Sequence, residues 1–164
     1  MPVLNSFNFR QRSPGPPQVF PAGLRIAGPV LQAQVEVPTI LATQLQQSGQ
    51  AIPQPVAGFA LIDTGASISA VDIEVVRQLG VQPVGVANVG TAGGPQQQET
   101  YPARFTFPGS NLPGIEFNEL LGANLTGQVV PVDGRPLIAL VGRDILERFI
   151  LVYNGPAGMF TLAF

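Results

Sequence analysis

Residues 60–67, Ala-Leu-Ile-Asp-Thr-Gly-Ala-Ser, carry one carboxylate, Asp63, out of an apolar run and into a tight Thr-Gly turn. Burying a carboxylate at the end of a core strand is costly unless partners stabilise it. A chain that keeps one there usually needs it for chemistry. The rest of the composition narrows what that chemistry is. The chain has no His, no Cys and no Trp, and all 8 of its basic residues are Arg. Ser-His-Asp and Cys-His catalysis are therefore excluded, as is an ordinary zinc site. Without Lys there is no P-loop, Schiff base or Ser-Lys dyad. The groups left to exchange protons near neutral pH are carboxylates, and the Asp residues are Asp63, Asp72, Asp133 and Asp144.

The elements that must position Asp63 read as mostly β. A chain of 164 residues suits one domain and buries about 70% of its unfolded surface, enough for a proper core. An apolar content of 45% with 11% charged residues opposes disorder. The net charge of −2, with scattered Arg, provides no basic stripe for nucleic acid. No apolar stretch approaches the ~20 residues of a membrane span, and the N-terminus lacks a signal-peptide core. A cytoplasmic location is the expectation.

Residues 1–22, with Pro14, Pro16, Pro17 and Pro21, read as a Pro-rich arm outside the core. Residues 23–164 read as the folded domain. Partial alternation over 30–37 predicts a half-buried strand, which 40–45 continue or pair with. Residues 56–62 predict a buried strand leading into Asp63. Asp72 stands at an N-cap position, with Val75, Val76 and Leu79 on one helical face and Gly80 just past the end. Residues 81–89 and 100–107 flank a Gly-rich tip and predict a hairpin. Residues 136–141 form an apolar run ending at Gly142-Arg143-Asp144, residues 145–149 predict a short helix, and residues 150–153 and 159–164 predict a closing hairpin. Asp133-Gly134-Arg135 is a turn signal. There is no internal repeat, and Asp-Thr-Gly occurs once.

Three segments together resemble the retropepsin family, the single-lobe aspartic proteases of retroviruses, retrotransposons and some bacteria. They are residues 61–67, Leu-Ile-Asp-Thr-Gly-Ala-Ser; residues 89–94, Val-Gly-Thr-Ala-Gly-Gly; and residues 140–146, Leu-Val-Gly-Arg-Asp-Ile-Leu. The resemblance spans about residues 24–164 and implies an all-β fold, a partly closed acid-protease barrel with one or two short helices. It implies an aspartic endopeptidase that cuts a peptide or protein substrate and uses neither metal nor organic cofactor. Two carboxylates would share a proton across a water, one accepting from the water and the other donating to the scissile carbonyl. With one Asp-Thr-Gly per chain, the second acid comes from a second copy, so the resemblance implies a homodimer with Asp63 facing Asp63.

In that reading Thr64 hydrogen-bonds across the twofold axis, Gly65 lets backbone approach closely, and Ala66 offers the acid no hydroxyl. Gly90, Thr91, Ala92, Gly93 and Gly94 would form a flap over an extended substrate. Arg143 and Asp144 would support the turn. Asp144 reads as a helix cap in preference to a second catalytic acid in the same chain. Ser67 stands where the viral enzymes carry an acid that pairs with the Arg, so Arg143 needs another partner: Asp72, Glu74 or a backbone carbonyl. Two rival readings are a retropepsin-like dimerisation or peptide-binding module without turnover, and an unrelated β-sandwich.

Overall fold

The computed structural model describes residues 3–7, 9–10, 15–16, 18–91, 94–131 and 134–164. Strands β1 (Val3–Phe7), β2 (Phe9–Arg10) and β3 (Gln18–Val19) precede helix α1 (Ala22–Ala27). Strand β4 (Val30–Glu36), helix α2 (Thr39–Gln47), strands β5 (Val56–Ile62) and β6 (Ala70–Asp72) and helix α3 (Ile73–Gln78) follow. Next come β7 (Gly85–Thr91), β8 (Gly94–Thr106), β9 (Ile115–Ala123) and β10 (Leu137–Val141). Helix α4 (Arg143–Leu146) leads into the final hairpin, β11 (Ile150–Asn154) and β12 (Met159–Ala163). The fold is thus all-β with a few short helices.

The main sheet runs β4-β5-β10-β6-β9-β8-β7, and β4 also pairs with β8, which closes the first six of these strands into a barrel. Phe105, Leu120, Val35 and Val71 of its strands share one buried cluster with Val76 of α3 and Phe160 of β12, each at most 1% exposed. Burial of side chains of this size is the main force holding such a barrel together, at about 25 cal/mol per Å² of apolar surface. β8 is long enough to serve both β7 and β9 because it bends. Its register with β9 shifts between Tyr101 and Ala103, where Pro102 lacks the N–H that a regular ladder requires.

One detail of the topology places the site. β10 runs parallel to β5, with Val141 beside Ile62, and antiparallel to β6, with Ala139 beside Val71. It is inserted between two strands that are neighbours in sequence. Residues 63–69, which join β5 to β6, must therefore bridge over the C-terminal end of β10.

Three local expectations meet a different outcome. Residues 40–45 lie in helix α2, not in a strand. Ala42, Gln44, Leu45, Gln46 and Gln47 are good helix formers, and the helix buries no residue completely, resting on the core through partly buried Leu41 and Ala42. The helices number four among the described residues, because α1 and α2 join α3 and α4. Part of the Pro-rich stretch is structural, since β1 pairs antiparallel with β12, Val3 opposite Ala163, and Leu4 packs on the core. The helix expected after Asp72 does form, with the Asp72 carboxylate accepting from the Glu74 N–H at 3.0 Å.

Candidate active site

Asp63 follows β5 directly, and its N–H donates to the carbonyl of Val141 at 2.9 Å. The barrel ladder thus runs up to the acid itself. The chain then turns so that Asp63 Oδ1 accepts from the Gly65 N–H at 2.9 Å and the Ala66 N–H at 3.3 Å. The Ala66 N–H also reaches the Asp63 carbonyl at 3.2 Å. Two amide donors fix one carboxylate oxygen. Oδ2 takes no hydrogen bond from the described residues, and the residue is half-buried. Thr64 is exposed, and its hydroxyl has no partner among the described residues.

The Gly-Arg-Asp segment grips this turn from below. The Arg143 guanidinium donates to the carbonyls of Thr64 at 2.7 Å and Gly65 at 3.1 Å. Of the partners open to it from sequence, the backbone carbonyls are the ones it takes. The Arg143 N–H donates to the Ala66 carbonyl at 3.0 Å. Asp144 acts as a clamp: Oδ2 accepts from the Ser69 N–H at 2.9 Å, while Oδ1 accepts from the Ser69 hydroxyl at 2.7 Å and the Ile145 N–H at 2.9 Å. Ser69 Oγ in turn accepts from the Gly142 N–H at 2.9 Å. Gly142 must be small, because a Cβ there would lie 2.7 Å from the Ile68 carbonyl carbon and 2.9 Å from the Ser69 nitrogen.

Among the described residues no second acid is hydrogen-bonded to Asp63. Asp144 and Asp72 are taken up by the bonds just described, with Thr126 also donating to Asp72 at 3.3 Å. Glu36 pairs with Arg104 at 2.9 Å. Glu74 pairs with Arg77, and Glu99 accepts from Tyr101. Asp133 lies outside the described residues. No group of three or more carboxylates among the described residues is placed to hold a metal ion. No described helix is long and apolar enough to cross a membrane.

The Gly-rich segment sits at the end of the β7–β8 hairpin, whose register runs from Gly85↔Thr100 to Gly90↔Pro95 and Thr91↔Gly94. Ala92 and Gly93 lie outside the described residues. Ser69 was not singled out by sequence. Its one signal was a hydroxyl between Ile68 and the apolar start of β6, a position that is fully buried in the fold.

The chain is similar to two solved proteases. One is the simian foamy virus (mac) protease, determined in solution, at 18% identity, covering 73% of this chain and 92% of that chain with a TM-score of 0.41. The other is a retropepsin-like aspartic protease from Rickettsia conorii, at 17% identity, covering 99% of this chain and 92% of that chain with a TM-score of 0.42. No family model matches the chain, and no curated protein matches it.

Proposed function

We propose that this protein is a retropepsin-like aspartic endopeptidase that acts as a homodimer. The observation that carries the proposal is a single Asp63, held by Gly65 and Ala66 amides through one oxygen, with no other acid of the described residues hydrogen-bonded to it. Such a carboxylate is half of a catalytic pair. Two of them facing across a twofold axis cannot both ionise cheaply, so they hold one proton between them. The ionised member accepts a proton from a water as it attacks the peptide carbonyl, and the protonated member donates to the carbonyl oxygen.

The rest of the site has a task in this scheme. The Thr64 hydroxyl bonds across the axis to its twin. Gly90, Thr91, Ala92, Gly93 and Gly94 close over an extended substrate and donate backbone hydrogen bonds to it. Arg143 and Asp144 keep the turn rigid.

The terminal sheet supports the pairing of two copies. Its order is β1-β12-β11, so β11 has one edge without a strand partner among the described residues. On its outer face the cross-strand rows are Val3, Ala163 and Ile150; Asn5, Thr161 and Val152; Phe7, Met159 and Asn154. None of these nine is charged. Ile150 is 61% exposed and Val152 49%. Open apolar strand edges seek partners, and here a second copy brings the second acid.

The test is Asp63→Asn assayed with a broad peptide library, alongside sedimentation of both proteins. The variant is expected to lose cleavage while remaining folded and dimeric. A variant that still cuts would overturn the mechanism. A wild type that pairs but cuts nothing in the library would favour a binding module.

A further inference from the structure

We infer that Ser69, through Asp144, is a positioning residue that holds the Asp63 turn in its working shape. The inference rests on the proposed protease function for its kinetic arm alone. Ser69 is fully buried, yet it carries a hydroxyl, a group that costs free energy in a core unless every bond is made. All of them are made. The hydroxyl donates to Asp144 Oδ1 at 2.7 Å and accepts from the Gly142 N–H at 2.9 Å, while the Ser69 N–H donates to Asp144 Oδ2 at 2.9 Å. The Ser69 carbonyl accepts from the Leu121 N–H at 3.2 Å.

This arrangement solves a geometric problem. The bridge from β5 to β6 crosses the end of β10, packed against Gly142 and bonded to Arg143 at the start of α4. Its entry is fixed by the Asp63 N–H on Val141, and its tip by Arg143 on the Thr64 and Gly65 carbonyls. Before Ala70 its exit meets a strand through the Ser69 carbonyl, on the Leu121 N–H of β9. The Ser69 hydroxyl and N–H add a second anchor, tying the exit to both Gly142 and Asp144. The distance from anchor to acid is short in sequence, so slack at Ser69 passes to the Gly65 and Ala66 N–H groups that aim the Asp63 carboxylate. Asp144 is not the helix cap expected from sequence: it lies in the first turn of α4, whose N-cap is Gly142 with no side-chain capping bond, and its bond within the helix is the one from the Ile145 N–H at 2.9 Å. The two further bonds from Ser69 are what make Asp144 part of the site's support.

The experiment compares Ser69→Ala, Asp144→Asn and the double variant in the full-length protein. Amide hydrogen exchange is read at Gly65 and Ala66, against Ala103 and Phe105 in the barrel as references. Both single variants are expected to speed exchange at Gly65 and Ala66 by about tenfold relative to the references, the scale set by a buried donor left without its acceptor. Because the two residues act as one unit, the double variant is expected to match the singles rather than multiply them. In peptide cleavage, kcat per folded molecule falls by about tenfold with KM unchanged, and Ser69→Thr, which keeps the hydroxyl, recovers most of it. Exchange rising equally at turn and barrel, or independent effects in the double variant, would overturn the inference. If the wild type cleaves nothing, the protease reading fails while the exchange data still decide the role of Ser69.

Discussion

Replacing Gly142 by Ala sets two effects of opposite sign against each other. The Gly142 backbone, at φ −86° and ψ −175°, is extended and open to any residue. On conformational grounds alone, Ala there stabilises the fold by about 0.4–1 kcal/mol, by restricting the unfolded chain. The added Cβ, however, would lie 2.7 Å from the Ile68 carbonyl carbon, 2.9 Å from its oxygen and 2.9 Å from the Ser69 nitrogen. All three are backbone atoms, held in place by the bonds from Ser69 to Asp144. A side chain could swing away; this backbone cannot without breaking those bonds. Overpacking of this kind costs about 1–3 kcal/mol, and the upper end applies here. The net expectation is a loss of about 2 kcal/mol. Urea unfolding at one fixed protein concentration is the assay, since association makes stability concentration-dependent. The midpoint should fall with the slope unchanged. Gly155→Ala, whose Cβ would meet only Tyr153 Cε1 at 3.8 Å, is the control and should stay within about 0.5 kcal/mol of wild type. If Gly142→Ala is as stable as the wild type, the bridge does not press on β10 as described.

Two further outcomes are expected beyond those tied to Asp63 and Ser69. Burial pushes the Tyr101 phenol above its ordinary value, and its hydrogen bond to Glu99 adds to the rise. The unfolded chain then gives up this proton first, so folding stability is full below about pH 10 and declines as pH rises past it. Urea midpoints across that window should fall less steeply for Tyr101→Phe, and an identical slope would contradict the assignment. Val152→Glu places a charge at the centre of the uncharged outer face of the terminal sheet. It should leave a folded monomer that does not cleave, as read by sedimentation and peptide turnover; an active monomer would refute the dimeric mechanism.

Much of the candidate site's local structure was legible because its signals are local. Asp63 at the end of an apolar strand, the Asp72 cap before a helical face, and the Gly-Arg-Asp segment after an apolar run each announce themselves within a few residues. Their hydrogen-bond needs and periodicities are set by near neighbours. Residues 39–47 escaped because a helix that buries nothing completely leaves no clean stripe, and Gln and Thr between apolar residues mimic alternation. Val3–Phe7 escaped because its partner, β12, lies at the other end of the chain.

The sequence by itself determined that carboxylates are the side chains left to exchange protons near neutral pH, and that Asp63 is the acid that leaves a core strand. Only the tertiary structure decided that β10 slots between β5 and β6, that Arg143 binds the carbonyls of the turn, and that Ser69 and Asp144 meet. Those contacts join residues 75 to 79 positions apart. Pairing across such a distance is selected by the closure of the whole barrel, which no short window of residues contains.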